Sequence, residues 1–285
     1  MIAGVRRRSC SKLAVMPRFA MAGHERLRDA LLEFLAAAML SGVDIEIIEF
    51  DRAEIALEPY SWPFAVDRRA EIDRHFASRQ GAPGALWNGR VLLLNRYTIH
   101  DGTLRGACFE TDFASFLAWR DWNFPDPTVY NVFAAGALRT ADGAYLVGEM
   151  APHTASAGAL YFPCGTPDPA DIANGTLDLA GSLRRELREE TGIDSSALEA
   201  EPGWTLVRDR GFLGLLRQLT AREGADELRA RIMRYLASEA DPELSDIRIV
   251  RGPGDLDPRM PGFVVAFLEK VWRSTNDAQP NARLR

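Results

Sequence analysis

The sequence predicts an α+β fold, and three observations carry that expectation. Segment 43–50 (VDIEIIEF) sets Val43, Ile45 and Ile47 against acidic residues with the period of two that marks a half-buried strand. Segment 225–240 repeats Leu228, Ile232 and Leu236 at the four-residue spacing of a helix face. Asn88-Gly89 and Asp142-Gly143 are turn dipeptides beside apolar runs, the local signature of chain reversals between strands.

In chain order, 24–40 reads as a helix through Leu27, Leu31, Phe34, Leu35 and Met39, with Gly42 as its stop. The strand at 43–50 follows, and 52–60 is expected to turn back beside it. A short helix near 67–79 presents Ile72 and Phe76, Asn88-Gly89 leads into a strand, and another helix is expected to begin at Thr111. Pro125 and Pro127 cannot continue that helix and mark a boundary. Beyond it, 132–150 gives two strands joined by Asp142-Gly143, and 158–165 a third. A highly charged helix, a strand pair (203–221), the helix at 225–240, a strand (245–250) and a closing helix (261–272) complete the series. The expected organisation is a tail at 1–23, an N-terminal α+β domain at 24–125, a second domain at 126–272 and a tail at 273–285.

Composition narrows the function classes. With 34 basic and 40 acidic residues the net charge is -6, which argues against a nucleic-acid partner. Cys10, Cys108 and Cys164 are odd in number and far apart, so neither a disulfide framework nor a zinc knuckle is expected, and a reducing cytoplasm fits. The most apolar run, LLEFLAAAML, is far short of the roughly 18 residues a membrane span needs. No membrane partner is expected.

The chemistry concentrates in RRELREETGI, residues 184–193. Glu186, Glu189 and Glu190 stand at i, i+3 and i+4, so a helix sets three carboxylates together, with Leu183 and Leu187 expected on the other face. Like charges at that spacing repel by a few tenths of a kcal/mol per pair. A hard divalent cation removes the repulsion, because Mg²⁺ takes carboxylate oxygens and leaves positions for water and phosphate.

Arg185, Glu186, Leu187, Glu189, Glu190, Gly192 and Ile193 resemble the second half of the Nudix signature, G-x5-E-x7-R-E-U-x-E-E-x-G-U, with U aliphatic. Gly165 matches its first glycine, and Asp171 falls where the family has glutamate, but thirteen residues instead of seven separate it from Arg185. Six extra residues must therefore loop out before the helix, and Asp168, Asp171 or Asp178 can take the first acidic position. Asp178 also suits a helix N-cap. The WNG strand, VFAAGAL and LDLAGSL, in that order, resemble the Nudix branch that includes UDP-glucose and UDP-galactose pyrophosphatase, over about residues 85–272.

The resemblance implies a mixed sheet between helices, an α/β/α sandwich, and an enzyme that hydrolyses a nucleoside diphosphate linked to another group. The substrate class is a small-molecule nucleotide: a nucleotide sugar first, ADP-ribose or a dinucleotide second. Some Nudix domains sense nucleotides without turnover, but those usually lose box glutamates and all three stand here. The implied ligands of Mg²⁺, or of Mn²⁺, are Glu186, Glu189 and Glu190. Glu186 and Arg185 become the catalytic pair, Glu186 taking the proton, with Glu223 as the alternative base, and Arg185 holding the glycine loop against a carboxylate. Gly165, Asp168 and Asp171 then line the substrate side.

Other residues carry two readings each. Arg208 and Arg210 can clamp a diphosphate bidentately or serve the surface. Trp119, Trp122, Phe124 and Tyr130 can stack a base or form an apolar seam. His153 reads as a phosphate contact or an exposed loop residue, and Cys164 as a passive thiol. Asn174, Thr176 and Asp178 in the expansion offer hydrogen bonds suited to sugar hydroxyls.

Overall fold

The computed structural model describes residues 45–80, 87–154 and 156–277. The helix expected at 24–40 and the tail at 1–23 lie outside the described residues. The described residues all belong to one compact unit.

Two sheets organise it. The larger has eight strands: β1 (Glu46–Phe50), β5 (Asn131–Arg139), β6 (Tyr145–Met150), β7 (Leu160–Tyr161), β10 (Glu199–Ala200), β11 (Trp204–Asp209), β12 (Phe212–Thr220) and β13 (Leu244–Val250). Its central path runs β1-β11-β12-β5-β6-β13, with β12 and β5 parallel and the other neighbours antiparallel. The smaller sheet runs β3-β4-β2-β9-β8, built from β2 (Arg52–Leu57), β3 (Arg90–His100), β4 (Thr103–Asp112), β8 (Ile172–Ala173) and β9 (Thr176–Leu177). The helices are α1 (Pro63–Asp67), α2 (Arg69–Arg79), α3 (Phe113–Asp121), α4 (Leu179–Thr191), α5 (Ala225–Leu236) and α6 (Gly262–Asp277).

Alternation along the strands of the larger sheet sends side chains to two cores. Val132, Ala134, Leu206, Leu213 and Leu215 face Leu183 and Leu187 of α4 and Leu228 and Ile232 of α5. Phe133, Ala135, Val147 and Leu216 face Phe263, Val264 and Phe267 of α6. The mixed sheet is thus sandwiched between helices, as expected. A third core joins Ile72, Phe76, Leu93 and Phe109 to Trp119 and Phe124, which places those aromatics in a seam. No helix among the described residues is long and apolar enough to cross a membrane.

Several local expectations need correction. Segment 52–57 does not turn back beside β1: the amides of Asp51 and Arg52 both donate to Gly102 O, at 2.7 and 3.2 Å, and β2 runs parallel to β4 in the other sheet. The helix after β4 starts at Phe113, because Thr111 still pairs with Val91 and Asp112 is the N-cap, accepting from Ser115 N at 2.9 Å. The strand expected at 158–165 shrinks to two residues, followed by a bridge between Cys164 and Ala135. Strands from either side of residue 125 share sheets: β1 pairs β11, and β2 pairs β9.

The six-residue expansion is not a free loop. After a 3-10 turn (Pro169–Asp171), β8 and β9 form a hairpin closed by Asn174 and Gly175, both left-handed at φ 53° and 78°. That two-residue turn is the kind an Asn-Gly dipeptide supports. Leu57 N donates to Gly175 O at 2.9 Å and joins the hairpin to the edge of the smaller sheet.

Candidate functional site

The charged helix α4 begins and ends at side chains suited to those tasks. Asp178 Oδ1 accepts from Gly181 N at 2.8 Å, and Gly192 closes the helix at φ 69°. At 100° per residue, Leu183, Glu186, Leu187 and Glu190 fall on one arc, and all four are buried against the sheet. The three glutamates therefore do not share a face set apart from the leucines. Glu186 and Glu190 are inside, and the Glu189 side chain is 57% exposed.

Arg185 binds this group together. Its Nη2 donates to Asp171 Oδ1 and Oδ2 at 3.1 and 2.9 Å, while Nη1 stands 2.8 Å from Glu186 Oε1 and 3.2 Å from Glu189 Oε2. Asp171 is buried, and its Oδ2 also accepts from Asp168 N at 3.1 Å. Asp168 caps the 3-10 turn through Ala170 N. Of the three candidates for the first acidic position, Asp171 is the one that Arg185 holds.

Glycine at 165 leaves room for the Glu186 carboxylate. A Cβ there would stand 2.3 Å from Glu186 Oε1. The neighbouring amide of Cys164 donates to Glu190 Oε1 at 3.2 Å, and Glu190 Oε2 is buried with no hydrogen-bond partner among the described residues.

Burial sets the electrostatics. It pushes Glu186 up to about 7 even though Arg185 pulls the other way, and Glu189, Glu243 and Asp171 add to the rise. Burial also raises Glu190 well above the carboxylate range, with Glu186 and Glu243 contributing. Desolvation opposes the charge of Arg185, but Glu186, Asp171 and Glu189 outweigh it and strengthen its hold on the proton. Cys164 is raised by burial, then by Glu190 and Glu186, which keeps it a thiol.

Glu243 went unnoticed in the sequence. It is an exposed residue just before β13, held by Ala151 N donating to its carbonyl at 2.8 Å, and no local pattern links it to α4.

The remaining candidates have partners of their own. Arg208 pairs with Glu46 across β1 and β11 at 2.8 Å. Arg210, left-handed at φ 52°, donates to Asn123 Oδ1 at 3.2 Å and lies over the Phe124 ring. Glu223 pairs with Arg231 at 2.7 Å, and half-exposed His153 lies 3.4 Å from Asp241. Trp119 is buried and donates to Asp126 O at 2.9 Å, Trp122 lies beneath the Arg68 guanidinium, and Tyr130 packs edge-on against Tyr97. In the hairpin, Thr176 Oγ1 donates to Ala173 O and Asp178 is the helix cap. An open surface depression is lined by Leu57–Ser61 and Glu110, none of them residues of α4.

The donor chemistry suits a hard divalent cation: two buried carboxylates of raised proton affinity, one with an orphaned oxygen, and a third at the rim. Among the described residues, no three His, Cys, Asp or Glu side chains already converge as a ligand cluster. Glu189 is turned to Arg185, which it meets at 3.2 Å.

No family model matches this chain, and no curated protein does. Solved structures do. RenU, a Nudix hydrolase from M. Smegmatis, is 15% identical over 55% of this chain and 93% of its own, with a TM-score of 0.35. The MutT protein from Methanosarcina mazei Go1 is 17% identical over 51% and 95%, with a TM-score of 0.32. A bifunctional NMN adenylyltransferase/ADP ribose pyrophosphatase from Francisella tularensis, complexed with AMP and a Mn ion, is 14% identical over 56% of this chain and 46% of its own, with a TM-score of 0.36. Likeness at these scores assigns no chemistry to this chain.

Proposed function

We propose that this chain is a Nudix-type hydrolase that cleaves the phosphoanhydride of a nucleoside diphosphate linked to another group, with Mg²⁺ or Mn²⁺ held by Glu186, Glu189 and Glu190. The observation that carries the reading is the buried Glu186–Glu190 pair, with Glu190 Oε2 unpartnered, packed under Gly165 and braced by the Arg185–Asp171 bond. Two carboxylates at i and i+4 are costly to bury together without a cation to neutralise them. A bound divalent ion would supply charge neutralisation for the diphosphate and a more acidic water.

The chain's residues do the rest. Glu186, of raised proton affinity, accepts the proton of the attacking water. Arg185 keeps the Asp171 turn, and with it the glycine loop, at a fixed distance from the carboxylates. Gly165 lets the loop approach without displacing Glu186. Asp168 acts on the substrate side by shaping that turn. Arg208 and Arg210 serve the diphosphate only if it reaches the far end of β11.

The finer assignment is a UDP-sugar, supported by the WNG, VFAAGAL and LDLAGSL arrangement. Initial rates with UDP-glucose, UDP-galactose, ADP-ribose, a dinucleoside polyphosphate and capped RNA, each with Mg²⁺, test it. UMP and sugar phosphate as the fastest-released products support the reading. Preferential AMP release moves the substrate to ADP-ribose or a dinucleotide, and tight binding without product from any member makes the chain a sensor.

A further inference from the structure

We infer that the 172–177 hairpin is a strut through which the smaller sheet holds the acidic helix in register; this rests on the proposed role of α4 as the metal helix. The bonds form a continuous path. At one end, Ala56 pairs with Thr176 and Leu57 N donates to Gly175 O at 2.9 Å, so the hairpin is an extra edge of the sheet that also holds β3 and β4. Its inward side chain, Leu177, is buried in the same core as Ile55 and Leu104 from that sheet and Leu179 and Leu183 from α4. At the other end, Asp178 N donates to Asp171 O at 2.8 Å across the hairpin base. Those two residues are the N-cap of α4 and the partner of Arg185. From Arg185 the path passes directly to Glu186 and Glu189.

A loop of the same length without pairing would leave Asp171 on a segment free to drift. The hairpin replaces that freedom with ladder bonds and a buried leucine, and Asn174 with Gly175 makes the reversal at little conformational cost. The residues of the strut are positioning residues: they act on the carboxylates through Asp171 and Arg185.

The test uses the full chain with residues 172–177 replaced by one glycine, a closure made feasible by the bond already joining Asp171 to Asp178. A second variant, Leu57→Pro, removes the donor to Gly175 while keeping the hairpin sequence. Amide hydrogen exchange across 184–190 is measured without metal, with 225–236 as the internal control, and Mn²⁺ affinity is measured by titration. We expect exchange in α4 to accelerate while α5 is unchanged, and Mn²⁺ affinity to fall by about tenfold or more, the scale on which residues behind metal ligands act. Asp171→Asn added to either variant should produce little further loss, because both changes break the same path. Unchanged α4 exchange, or losses that multiply with Asp171→Asn, would overturn the strut. A parent chain that takes up no Mn²⁺ while the variants still loosen α4 leaves the strut standing and removes the metal role.

Discussion

Replacing Glu186 with Gln keeps the side chain's size and removes a charge that folding takes out of water. Burial lifts this carboxyl from 4.5 to about 7 in the folded chain, against the pull of Arg185. At about 1.4 kcal/mol per pH decade, that displacement corresponds to about 3 kcal/mol. The sign follows from which form the fold prefers. The protonated acid is favoured, so stability is intact below pH 4.5, declines as pH rises toward 7, and stays at its reduced level above. In the metal-free chain at pH 8, Glu186→Gln should therefore be more stable than the parent by up to about 3 kcal/mol. Near pH 4.5 the two should coincide. Arg185 retains Asp171 and Glu189 in the variant, so its own burial remains compensated. Saturating Mg²⁺ should reverse the order, since ions that bind the folded state alone stabilise it by mass action. Urea unfolding at a series of pH values between 4.5 and 8, in chelator and in Mg²⁺, measures all of this. Parallel pH profiles for parent and variant, or a variant less stable at pH 8 in chelator, would refute the reasoning.

Gly165→Ala should cost little stability, because the new methyl meets the movable end of Glu186 at 2.3 Å; it should instead displace that carboxylate and lower Mn²⁺ affinity by about tenfold or more, as a titration would read. Glu189→Gln, at an exposed position, should leave the unfolding midpoint within about 0.5 kcal/mol of the parent while turnover falls by orders of magnitude. Gly192→Ala forces a left-handed residue at φ 69° and a contact with the Tyr235 ring. It should destabilise by about 2 kcal/mol in urea titrations. Leu187→Ala, at a fully buried position on α4, should cost about 2–5 kcal/mol by the same measurement.

What the sequence disclosed and what it hid follow from the range of the interactions. The start of α4 was legible because Asp178 acts on backbone groups within a few residues. The Asp142-Gly143 reversal and the apolar stripe of α5 were legible for the same reason. The partner of β2 was not, since its parallel pairing with β4 joins residues about fifty apart and leaves no local mark. The hairpin at 172–177 went unread because its strands have only two residues each, although Asn174-Gly175 carried the signal of a tight reversal. Within the site, spacing disclosed that Glu186, Glu189 and Glu190 are neighbours. Which of them is buried depends on how α4 is rotated against the sheet, and Leu183 and Leu187 decide that by burying the arc that Glu186 and Glu190 share. Glu243 had no signal at all, being brought near α4 by the loop before β13.

The central claim is that the carboxylates of α4 would hold a divalent cation at a site where water, losing its proton to Glu186, hydrolyses a phosphoanhydride. The most direct measurement is the initial rate of nucleoside monophosphate release, as a function of free Mg²⁺, for the parent and for Glu190→Gln. The account predicts a saturable Mg²⁺ dependence in the parent and a loss of orders of magnitude in the variant, whose fold is retained or stabilised in chelator. A Mg²⁺-independent rate, or equal rates in parent and variant, would contradict it.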